Sequence, residues 1–205
     1  MSYTYGNLSD VKELDRWCRS IISIVQKDVR EYFTFDIRLI GSGERRLVTQ
    51  DSEGHFDLDY NLILQKDKMG LIDTPKRIKD IFRDCFNNVL VREIKDFKYA
   101  SDSTSVLTVK IKFNNGVYCS FDVAIIIEAD DGYFYRLTHD KVSNRYIWNR
   151  VKDSCDCMEK FLQLKKNGYW VDFKDRYLEL KNFHLSRKDK IKSFSIFLET
   201  LNEFY

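Results

Sequence analysis

Two stretches constrain the fold of this chain more than any other feature. Residues 56 to 64, Phe-Asp-Leu-Asp-Tyr-Asn-Leu-Ile-Leu, alternate apolar and polar for seven positions and then turn fully apolar. A period of two is the signature of a β-strand, and this strand carries one polar face at its start. Residues 117 to 127 read as a second strand, apolar almost throughout but broken by Asp122 among Phe121, Val123, Ile125, Ile126 and Ile127. A lone carboxylate in such a run is costly unless something compensates it.

The rest of the chain fits around these strands. An apolar-periodic run from Val11 to Val25, opened by Ser9 and Asp10, predicts an amphipathic helix ending near Tyr32. Residues 33 to 40 read as a short strand, closed by Gly41-Ser42-Gly43. Pro75, the only proline, opens a helix with apolar residues from Ile78 to Val89. Strands are expected at about 91 to 98, 105 to 113, 117 to 127 and 133 to 138, with a hairpin across Asn114-Asn115-Gly116. From about 145 helical periodicity takes over, with helices expected at 154 to 167, 172 to 182 and 186 to 204. Ser186 and Asp189 form the capping pair of the last. The expected class is α+β: a mixed sheet flanked by helices in residues 1–145, followed by a C-terminal helical bundle in 146–205.

Composition narrows the function classes. A net charge of +2 lacks the broad basic field of a dedicated nucleic-acid binder, although a local patch is compatible with it. Cys18, Cys85, Cys119, Cys155 and Cys157 include one Cys-x-Cys pair with no second pair or nearby His, which is no zinc pattern and reads as free thiols in a reducing compartment. No apolar run reaches the ~18 to 20 residues of a membrane span, and the first residues lack a signal-peptide pattern. The expected location is the cytoplasm, with no membrane partner.

Asp57 and Asp59 stand two apart on one strand, so both carboxylates share a face about 7 Å apart at the backbone. Like charges so placed repel unless a cation lies between them. Magnesium suits carboxylate oxygens and leaves room for water and phosphate. Two such ions usually need a third carboxylate, and Asp122 is the residue for it. Gly41-Ser42-Gly43, small residues directly after a strand, let backbone N–H groups and a hydroxyl approach phosphates.

The order Leu39-Ile40-Gly41-Ser42-Gly43, then Phe56-Asp57-Leu58-Asp59-Tyr60, then Ser120-Phe121-Asp122-Val123 resembles the DNA polymerase beta nucleotidyltransferase superfamily. The Gly-Ser-Gly loop and Phe-Asp look similar to the cyclic GMP–AMP synthase and bacterial CD-NTase branch. The motifs cover residues 33 to 127, and the helical tail fits the family's second half. The resemblance implies a core that binds a nucleoside triphosphate such as ATP. Asp57, Asp59 and Asp122 would hold two Mg2+ ions (or Mn2+), Gly41 and Ser42 would cradle the β- and γ-phosphates, and an NMP would pass to a hydroxyl acceptor with release of pyrophosphate. Asp122 would also serve the attacking hydroxyl, by holding the activating metal or as general base.

Further candidates each carry a plainer reading. Lys160, Lys165, Lys166 and Lys181 lie on tail helices, where the family often places a lysine against the triphosphate, and Lys165 is the expected contact. Tyr177 and Trp170 offer faces for a base but equally suit core packing. Arg45 and Arg46 are phosphate contacts or solvated charges, and Lys98, Lys110 and Lys112 form a mild basic stripe. His55 caps a loop beside the acidic strand, and His139 and His184 have no readable partner. The competing functions are a catalytically silent nucleotide- or protein-binding module, a toxin or antitoxin component, and a cyclic-dinucleotide synthase. The acceptor (small molecule, nucleotide, tRNA or protein) and the oligomeric state are not written in the sequence.

Overall fold

The computed structural model describes residues 2–95, 97, 99–112, 116, 118–151, 155–189 and 191–205. The elements in order are β1 (Thr4–Tyr5), α1 (Leu8–Asp28), β2 (Phe33–Ile40), α2 (Gly41–Arg45), β3 (Thr49–Gln50) and β4 (Asp57–Asp67). They continue with α3 (Pro75–Glu93), β5 (Ser101–Asp102), β6 (Leu107–Lys112), β7 (Tyr118–Glu128), β8 (Phe134–Asp140) and β9 (Arg145–Arg150). Helices α4 (Cys155–Lys166), α5 (Trp170–Ser186) and α6 (Ser193–Asn202) complete the chain.

Among the described residues seven strands form one mixed sheet. β4 is central, antiparallel to β2 and parallel to β7. The far edge of β7 is shared by β6 at its start and β8 at its end, and β9 pairs with β8. The two faces differ because the strands alternate. Leu58, Tyr60, Leu62, Phe121 and Val123 are fully buried on one face, together with Leu14 and Ile22 of α1 and Phe82 and Phe86 of α3. Each such side chain contributes about 1.5–3 kcal/mol of burial energy, enough to fix which way the strand faces. The ring of Phe121 meets Trp17 at 6.0 Å and Tyr60 at 6.4 Å, both edge-on, and Tyr60 donates its hydroxyl proton to Asp15 Oδ1 at 2.7 Å, so its polar end is satisfied.

A second core lies among the C-terminal helices, built from Phe161, Leu164, Phe173, Tyr177, Ile196 and Phe197, and Leu47 reaches into it from the segment after α2. The N-terminal residues strap across it: Tyr3 N–H donates to Asn182 Oδ1 at 2.6 Å and the Tyr5 hydroxyl to the Lys174 carbonyl at 2.6 Å. Among the described residues no helix is long and apolar enough to cross a membrane.

Several local expectations are corrected. Helix α1 is capped by Asn7, whose Oδ1 accepts from Ser9 N–H, rather than by Ser9. Among the described residues of the strand expected at 91 to 98, none is in a strand: α3 runs on to Glu93, because burying Val89 and Leu90 beside Phe86 favours the helix over the strand propensity of Val91. The hairpin turn at 114 and 115 lies outside the described residues, while β6 and β7 on either side pair antiparallel. The first tail helix, expected at 154 to 167, spans Cys155–Lys166, but the stretch before it is not helical in character: β9 adds an unexpected strand at Arg145–Arg150 in which Tyr146 and Trp148 pack toward the main core. The last helix begins at Ser193 with Lys192 as its cap: Ser186 closes α5, and Asp189 is occupied with His184.

Candidate functional site

The face of β4 and β7 turned away from the main core carries the acidic residues at its start, and Ile63, Ala124 and Ile126 form a small buried cluster farther along it. Even-numbered neighbours on β4 point into the core, so Asp57 and Asp59 must point away from it, and the parallel register sets Asp57 opposite Ser120 and Asp59 opposite Asp122. The three carboxylates thus stand on one sheet face. Ser120 donates its hydroxyl to Asp57 Oδ1. Thr108, facing Asp122 from β6, donates to Asp122 Oδ1 at 2.6 Å.

On its other side Asp59 faces Ile40, the last residue of β2, and the chain turns there into α2. Gly41 adopts φ +68°, a conformation that disfavours a side chain. A Cβ at this position would lie 2.9 Å from Asp59 Oδ2, so only glycine lets this backbone approach the carboxylate. At Gly43 a Cβ would meet Leu39 Cδ1 at 2.9 Å. Ser42 follows Gly41 in the same turn, and its carbonyl accepts from Leu47 N–H at 2.8 Å.

The electrostatics follow from this crowding. Burial, then the charges of Asp122 and Asp57, push the Asp59 carboxyl up to about 6, against the pull of Arg136 and Arg45. Burial likewise raises Asp122, with Thr108 opposing it. Arg136 stands on β8 opposite Ile126, an even number of residues from Asp122, and therefore on the acidic face. Its Nε is buried without a hydrogen-bond partner among the described residues. Sequence reasoning missed Arg136, Ser120 and Thr108. The Ser-x-Asp spacing pointed to Ser120, but nothing local marked the other two.

The helical region meets this face at two points. The Arg45 guanidinium lies over the Phe197 ring at 4.5 Å, a cation–π contact tying α2 to α6. The Lys181 ammonium donates to Thr49 Oγ1, and its charge is attracted by Asp57. Lys165 instead packs over Phe161 at 4.2 Å and Trp170 at 4.3 Å within the helices. Tyr177 is 1% exposed and stacks on Phe173 there. Lys160 lies over Tyr205, and Lys166 is exposed. The histidines are engaged locally: His55 with Asp51, His139 with Asn144, and His184 between Asp189 and Glu199.

With Asp57 turned to Ser120 and Asp122 to Thr108, no group of three or more His, Cys, Asp or Glu among the described residues is drawn tightly enough to hold a metal. The donor set nonetheless fits a hard divalent cation: every donor is a carboxylate oxygen, and the mutual repulsion that raises Asp59 is what a cation relieves.

Neither a protein-family model nor a curated protein sequence matches the chain. Solved structures do. CdnC of E. coli MS115-1 with ATP superposes with a TM-score of 0.55 at 14% identity, over 96% of this chain and 59% of that one. The Vibrio cholerae di-nucleotide cyclase DncV, in a mutant complex with ATP and GTP, gives 0.57 at 14% identity over 94% and 55%. DncV with 3'-deoxy ATP gives 0.53 at 14% over 91% and 50%. The chain has the polymerase beta-like nucleotidyltransferase fold of these CD-NTases. It spans between half and three fifths of their length.

Proposed function

We propose that the protein is a metal-dependent nucleotidyltransferase that moves an NMP from a nucleoside triphosphate to a hydroxyl acceptor. One observation carries the reading: Asp59 stands opposite Asp122 on adjacent parallel strands, with the Gly41 backbone against the Asp59 carboxylate. Three carboxylates on one sheet face, with side-chain-free backbone at Gly41 against one of them, cost desolvation and repulsion and return no packing.

In this reading Asp57, Asp59 and Asp122 hold Mg2+. A cation held there would supply charge neutralisation of the triphosphate and a lowered pKa for the attacking hydroxyl. Gly41 and Ser42 receive the β- and γ-phosphates, with Gly41 keeping side-chain bulk out of their path. Asp122 would face the acceptor hydroxyl, holding the metal that activates it or taking its proton. The acceptor oxygen forms a bond to the α-phosphorus, the α–β bridging P–O bond breaks, and pyrophosphate leaves. Lys181, the tail lysine nearest this face through its contact with Thr49 and its attraction to Asp57, is the better phosphate partner. Lys165 and Tyr177, packed into the helical core, serve by holding the helices in place. The residues contribute positioning and charge neutralisation, the main sources of rate in phosphoryl transfer.

The test is turnover of α-labelled NTPs with Mg2+ or Mn2+, with and without cell extract, following pyrophosphate and labelled products. Transfer that Asp57→Ala combined with Asp59→Ala abolishes supports the enzyme. NTP binding without turnover in any extract leaves the binding-module reading.

A further inference from the structure

Beyond the carboxylates, the same sheet face continues along β6 and β7 into a surface that the transfer reaction on a small acceptor does not use. On β6, Leu107, Val109 and Ile111 are buried, so Thr108, Lys110 and Lys112 face the other way, beside the acidic residues. The register then sets Thr108 opposite Asp122, Lys110 opposite Ser120 and Lys112 opposite Tyr118. Tyr118 is 58% exposed, with its ring edge-on to His55 at 6.1 Å. Lys110 and Lys112 are exposed, and neither makes an ion pair within 4.0 Å among the described residues. Lys110 lies close enough for its charge to act on Asp122.

We infer that this surface takes the single-stranded 3′ end of a nucleic acid as the acceptor of the proposed transfer, a reading that rests on the nucleotidyltransferase assignment. Distance decides against a mononucleotide. From Asp122 to Tyr118 is four residues of strand, about 14 Å at ~3.4 Å per residue, too far for a nucleotide whose hydroxyl is at the carboxylates to use both Tyr118 and Lys112. A chain of two or three nucleotides spans it. The terminal 3′-hydroxyl sits at Asp122, the phosphates behind it pass Lys110 and Lys112, and a base stacks on Tyr118.

An exposed aromatic ring flanked by unpaired lysines is the usual platform for unpaired bases, because every base offers a π-face and the phosphates need only charge. Two lysines also agree with the near-neutral whole chain: the footprint is local, not a field over the molecule. In the transfer itself the 3′-oxygen bonds to the α-phosphorus of the NTP, the α–β bridging bond breaks, pyrophosphate departs and the hydroxyl proton passes to Asp122.

Fluorescence anisotropy of a labelled single-stranded 12-nucleotide RNA, the same sequence as DNA, and their duplexes tests this on the whole chain without turnover. Two lysine–phosphate contacts predict a slope of log K against log salt of about −1.4. Lys112→Gln, an exposed change with no packing role, should bring the slope to about −0.7. Adding Tyr118→Ala should weaken single-strand binding at least tenfold while ATP affinity, measured separately, stays within twofold. Binding of single-stranded RNA or DNA with these losses upholds the inference, and comparing the two identifies the sugar. Absence of single-strand binding, equal binding by the variants, or preference for duplex overturns it. Lost oligonucleotide binding with intact NTP turnover counts against this surface alone. Intact oligonucleotide binding without turnover counts against the transferase reading alone.

Discussion

A Cβ on residue 41 would fall 2.9 Å from Oδ2 of Asp59, on a backbone already at φ +68°. The first glycine of the loop is therefore fixed by the carboxylate beside it as much as by the turn it makes. In the proposed function Asp59 would line the phosphate path, and residue 41 sets how near backbone can come to it.

Gly41→Ala should lose on both counts. The left-handed backbone and the contact with Asp59 together cost on the order of 1–3 kcal/mol, read as a lower midpoint in urea unfolding. NTP affinity should fall as well, because Asp59 is pushed out of line. A Gly70→Ala control, at similar φ with open space around it, should lose stability but keep NTP affinity.

Asp59 ties stability to pH. Its carboxyl is raised to about 6 in the folded protein, from an ordinary value near 3.8. The native state thus holds this proton over a range where the unfolded chain has released it, so stability falls as pH rises from about 4 to 6 and the ionised group is a standing cost above that. Asp59→Asn, neutral throughout, should be more stable than the parent by about 3 kcal/mol at pH 8. The gain should vanish below pH 4, while transfer activity is lost. Urea unfolding at the two pH values measures it. Arg136 opposes the rise, so Arg136→Gln should move the acid limb of kcat/KM to higher pH. An unmoved limb would remove Arg136 from the site.

Away from the site, Lys79 is 1% exposed and pairs with Asp102 at 3.2 Å. Asp102 has other partners, the Tyr146 hydroxyl at 3.0 Å and Arg83 at 4.0 Å, whereas Lys79 has no other ion pair among the described residues. Removing the two partners should therefore be unequal. Asp102→Ala strands a buried ammonium and should cost about 3–5 kcal/mol, while Lys79→Met fills the same space and should lie much nearer neutral. Chemical denaturation of the two variants compares them directly.

The sequence by itself determined the strands that matter. In β4 the alternation of Phe56, Leu58 and Tyr60 with Asp57 and Asp59 set which side chains face the core, because burial energy is local to each strand and has period two. The same logic found β7, the helix from Pro75 and the break at Gly41. It failed where local preference was overruled by packing, as at Val91 on the end of α3, and at β9, a strand that the sequence reading did not expect in Arg145–Arg150. Only the tertiary structure decided the register that sets Asp59 against Asp122, the arrival of Arg136 from β8 and Thr108 from β6, and the packing that sets Lys181 against Thr49 and Lys165 over Phe161 and Trp170. These depend on which strands pair and how far they slide, and pairing is fixed by contacts between residues tens of positions apart, whose energies no single stretch of chain contains.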